Sequence, residues 1–81
     1  MNIGDKVYFC SIIPNCHIYE VLELIIRTVA DTWAVGVDNH TKHAFLFGYD
    51  MIGKCIFIHH YEAQETILQM REQNEVIMDD L

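Results

Sequence analysis

Along most of this chain the apolar positions alternate instead of recurring at helical spacing. Lys6-Val7-Tyr8-Phe9-Cys10, opened by Gly4-Asp5, has the β-branched and aromatic content of a strand, with Val7 and Phe9 on one face and Tyr8 and Cys10 on the other. Pro14-Asn15 is a turn-forming pair, so residues 11–16 read as a loop that carries Ile12 and Ile13. Residues 17–29 fit two templates. Glu20, Glu23 and Arg27 fall near helical spacing, but the density of Ile and Val and the exit through Asp31-Thr32 favour one long, bent strand. Residues 33–37 and 42–47 follow as strands joined by Asp38-Asn39-His40-Thr41, a hairpin connection. After a polar break from Gly48 to Gly53, residues 55–58 form the last strand. Five short-linked, antiparallel strands predict a small barrel, with Phe9, Trp33, Phe45 or Phe47, and Phe57 in its core.

The closing segment has a different period. Ala63, Ile67 and Met70 lie at i, i+4 and i+7 with Leu68 flanking them, which predicts a helix over residues 59–74 docked on the barrel. Glu62 and Glu65 suit the positive end of its dipole. Residues 75–81 read as an acidic tail with an apolar centre. The expected organisation is a single domain: barrel 1–58, helix 59–74 and tail 75–81.

Both ends of the chain carry a pattern. GDKVYF near the start and IGKCIFIHHYEAQETIL near the end resemble the small SH3-like barrel proteins of phages and mobile elements of Gram-positive gut bacteria. Gly53, Lys54, Ile56, Phe57, Ile58, Glu62, Ala63 and Ile67 or Leu68 stand where that group has its strand-to-helix passage. The departure is His59, at a helix cap where the pattern has Thr, a better cap. The resemblance implies a mainly β fold, a five-stranded antiparallel SH3-like barrel with one C-terminal α-helix. It also implies a context, a non-enzymatic phage or prophage accessory protein acting in the bacterial cytoplasm.

Charge and size narrow the partners. At a net charge of −7 the chain is poorly suited to duplex nucleic acid, whose phosphates must be neutralised by Lys and Arg. No apolar run approaches the ~20 residues of a spanning helix, and the first residues have no basic-then-apolar leader pattern. With an odd count of three cysteines, free thiols in the cytoplasm of a bacterial host are expected, away from any membrane. Eighty-one residues that are 52% hydrophobic leave apolar surface to spare, so a homo-oligomer is expected.

Candidate chemistry is sparse. Cys10, Cys16, His17, Cys55, His59 and His60 have zinc-donor chemistry but no C-x-x-C knuckle, so the cysteines read as small hydrophobes and no metal or cofactor is assigned. Cys55 with His59 or His60 lacks an oxyanion donor, and no residue is assigned a catalytic role. His40 and His43 bracket the hairpin tip, where exposed polar residues are ordinary. Two binding sites remain. Tyr8, Lys42, His43, Tyr49 and Lys54 would line a pocket for a small signal nucleotide, through stacking and phosphate contacts. Glu65, Glu72, Glu75, Asp79 and Asp80 would present a phosphate-like row to a basic groove. From Glu62 onward the chain has six carboxylates to one cation. The expected function is inhibition of a bacterial antiviral defence, by protein contact in the manner of an anti-CRISPR protein or by sequestering a signal nucleotide. The alternative is an adaptor barrel docked on a larger phage or host complex.

Overall fold

The computed structural model describes the backbone of residues 1–79 and the side chains of residues 1–74. Its first strand, β1 (Lys6–Ile13), runs three residues beyond the expected Cys10. Residues 11–13 stay extended because they pair in register with Glu20, Tyr19 and Ile18 of β2 (Ile18–Val29). The reversal is confined to a single 3₁₀ turn, Pro14–Cys16, with His17 in the left-handed region at φ 53°. Proline supplies the fixed φ that opens such a turn.

β2 is the long bent strand that its Ile and Val content predicts. Its bend is a register shift at Arg27, between the pairs Ile26↔Gly36 and Thr28↔Val35. β3 (Trp33–Asp38) and β4 (Ala44–Gly48) form the expected hairpin. The Asp38 carboxylate accepts the backbone N–H of His40 at 2.7 Å and of Thr41 at 3.3 Å, an Asx-type closure of the tip. Lys42, expected within β4, instead takes a left-handed conformation at φ 65°. A second 3₁₀ turn, Tyr49–Met51, leads to β5 (Ile56–Phe57), which is shorter than expected. Even so, Cys55 pairs through its backbone, its carbonyl accepting the Cys10 N–H at 2.8 Å.

The fold is mainly β. The strand order is β4-β3-β2-β1-β5, antiparallel throughout, and the sheet curls into a half-barrel with β4 and β5 as its two edges. Side chains fill both sides. Val7, Leu24, Ile26, Ala34, Phe47 and Ile56 pack inside the curl. On the outer side Cys10 and Phe57 meet Ala63 and Ile67 of α1 (His60–Asp79). The helix thus docks through the residues its period picks out, lying on β1, β2 and β5. It spans the position after Asn74 where an acidic tail is expected to begin.

One core assignment changes. Tyr8 keeps the face opposite Val7 and Phe9, where it is half-buried beside α1, its ring edge-on to His60 at 5.0 Å. Trp33, assigned to the core, is 37% exposed on the outer side of the sheet. The cause is a close approach of strands. Inside the curl, a Cβ on Gly36 would lie 2.9 Å from the Cβ of Leu24, so β3 turns only Ala34, Gly36 and Asp38 inward. Its large residues must then face out.

Candidate functional site

β3 is inverted relative to an ordinary half-buried strand. Small or polar residues face the interior, and Trp33, Val35 and Val37 face away from it. Register adds to this outer row. Val35 lies beside Leu46, which is 68% exposed, and Val37 lies beside Ile25 on the other flank. The result is an apolar stripe on the half of the outer face that α1 leaves uncovered. It is bordered by the ion pair of Lys6 Nζ with Glu23 Oε1, 3.1 Å. That pair raises the Lys6 pKa, through the hydrogen bond first and the Glu23 charge second.

The same outer side carries α1. With Ala63 and Ile67 turned to the sheet, Glu65 and Glu72, seven residues apart, are exposed together on its solvent side, as are Tyr61 and Leu68. They supply the described part of the expected acidic row. The side chains of Glu75, Asp79 and Asp80 lie outside the described residues.

The five residues read as a nucleotide site are dispersed. Tyr8 packs on the outer side near α1, whereas Tyr49 packs against the interior cluster. The Tyr49 hydroxyl donates to the Ala30 carbonyl at 2.6 Å, pinning the end of β4 to the β2–β3 loop. Lys42 and His43 sit at the opposite end of β4, the Lys42 Nζ donating to the Asn39 carbonyl at 2.9 Å. Lys54 is exposed in the turn before β5.

The thiols are similarly divided. Cys10 is buried under α1 and donates to the Ala63 carbonyl at 3.5 Å. Burial first, then the neighbouring Cys55, pushes its pKa up to about 11, so it is a protonated packing group. Cys55, on the inner side, is also raised, chiefly by burial, while Cys16 is exposed in the first 3₁₀ turn. Among the described residues no three His, Cys, Asp or Glu side chains gather as metal ligands would, and no helix is long and apolar enough to cross a membrane.

The apolar stripe was hidden in the sequence because Trp33, Val35 and Val37 look like core residues. The one visible sign is the alternation of Trp-Ala-Val-Gly-Val-Asp, in which each large residue is followed by a small or polar one. The chain matches no family model, no curated protein and no solved structure in comparisons with each.

Proposed function

We propose that this chain is a non-catalytic, phage-type binding protein that blocks a bacterial antiviral defence by protein contact, using the outer side of an SH3-like barrel. The observation that carries the reading is the inverted β3, which places a tryptophan and two valines beside an exposed Leu46. A half-exposed Trp in an apolar patch is the kind of residue on which binding energy concentrates. The exposed Glu65 and Glu72 of α1, on the same side of the sheet, supply negative charge that steers a basic partner and raises its association rate. The SH3-like assignment is supported by the strand order, with β5 returning to pair with β1, and by the 3₁₀ turn ahead of β5.

Protein contact is favoured over nucleotide sequestration by one geometric fact. Tyr8 and Tyr49 pack on opposite sides of the sheet, so they do not face one ligand. The test is a plaque assay in bacterial strains that each carry one antiviral defence, with and without the chain expressed. Restored plaquing against one defence, together with capture of a component of that defence, is the expected result. Unchanged plaquing in every strain, with capture of a phage structural complex from infected cells, would replace the inhibitor with an adaptor module.

A further inference from the structure

The β4 edge carries a second inference, drawn from its backbone although it shares Leu46 with the stripe. The Asp38 N–H donates to the His43 carbonyl at 2.8 Å, and the Tyr49 N–H to the Thr32 carbonyl at 3.1 Å. Between them Phe45 pairs with Gly36 and Phe47 with Ala34. Antiparallel bonding alternates along a strand, so the odd-numbered residues of β4 bond to β3. Ala44, Leu46 and Gly48 therefore aim their N–H and C=O groups away from the sheet. Sheet edges are usually guarded by a charge, a proline or a bulge. Ala44-Phe45-Leu46-Phe47-Gly48 contains neither charge nor proline, and its pairing with β3 is unbroken.

We infer that two copies of the chain join through this edge, β4 antiparallel to β4, with Leu46 opposite Leu46 on a two-fold axis. Three features select a second copy. The segment is complementary to itself in this register. Ala44 falls opposite Gly48, and Phe45 falls opposite Phe47 twice on the inner face, aromatic cross-strand pairs that stabilise a ladder. Just beyond the strand, Lys42 at one end and Asp50 at the other carry opposite charges, so this register brings unlike charges together at each end. Finally, like-charge repulsion is low here. In a chain of net charge −7, residues 39–49 contain one lysine and no carboxylate. The phenylalanine pairs would also close a groove of about 270 Å³ at the open seam, lined by Phe9, Phe45, Phe47, Met51, Cys55 and Ile56. The dimer is a continuous ten-stranded sheet with both helices on one side, because a two-fold axis normal to the sheet leaves its faces unchanged.

The decisive variant is Leu46→Pro. It removes an N–H that points to the partner and none that bonds to β3, so the monomer should keep its β circular dichroism while the dimer is lost. Native mass spectrometry of the wild type should show twice the chain mass and Leu46→Pro a single mass. Cys16→Ser/Leu46→Cys provides a second readout that does not depend on proline being tolerated. In the paired register the two Cα atoms stand ~5.5 Å apart, within disulfide range, and mild oxidation should give a covalent dimer. A wild type that stays monomeric across a dilution series, leaving the edge for a strand of another protein, would overturn the inference. So would a dimer that survives Leu46→Pro, or a Leu46→Cys variant that does not cross-link.

Discussion

Gly36 shows how one residue shapes the surface of this protein. Any side chain there meets Leu24, which is wholly buried, with the two β-carbons 2.9 Å apart. Gly36→Ala should therefore destabilise the fold by about 1–3 kcal/mol, as overpacking of a filled core does. For a chain of this size that lowers the melting temperature by roughly 4–8 °C per kcal/mol, measurable by thermal unfolding. Asp38, two residues on, is buried and holds the hairpin tip. The backbone N–H of His40 is the main cause of its lowered pKa, opposed by desolvation and helped by Thr41. The native carboxyl thus binds its proton more weakly than the unfolded one. Its contribution is complete above the unfolded value near 3.9 and is lost as pH falls through the native one. Accordingly, the stability gap between wild type and Asp38→Asn should narrow as pH is lowered below about 4. A gap of constant size across an acid titration would show that the charge has no part in holding the turn.

At the scale of elements, the helix and the long second strand were legible in the sequence, and the sense of β3 was not. Ala63 and Ile67 stand at helical spacing, and both are buried on the sheet. Ile67→Ala should cost about 2–4 kcal/mol, since it empties the contact between α1 and the sheet. A loss well under that, measured by denaturant titration, would mean that the helix is only loosely docked. β2 betrayed itself by branched residues too dense for a helix, whereas the place of its bend, a register shift at Arg27, is known only from its pairing with β3. β3 defeated the same logic. Alternation reports that two faces exist, but which one is interior depends on how closely the curl brings β3 to Leu24. That distance is a tertiary fact absent from any local window, and it turned Trp33 outward. The short extension of β1 was missed for a similar reason, because Ser11 to Ile13 become a strand only through pairing with β2.

On the scale of the whole molecule, the half-barrel shows what composition alone could only suggest. Apolar content of 52% in a chain this short announced spare hydrophobic surface without locating it. The structure shows part of it at Trp33 and Leu46, on the outer row of β3 and the β4 edge, and part on α1 at Tyr61 and Leu68. The proposed nucleotide residues could not be sorted from sequence, since loops distant along the chain may meet or part, and here Tyr8 and Tyr49 part to opposite sides. The most direct measurement is the plaque assay repeated with Trp33→Ser/Val35→Thr, which makes the centre of the stripe polar while leaving the inner row of β3 and the β4 edge unsubstituted. The variant should fold, keep the oligomeric state of the wild type and lose inhibition of the defence. A folded variant as active as wild type would contradict binding through this face.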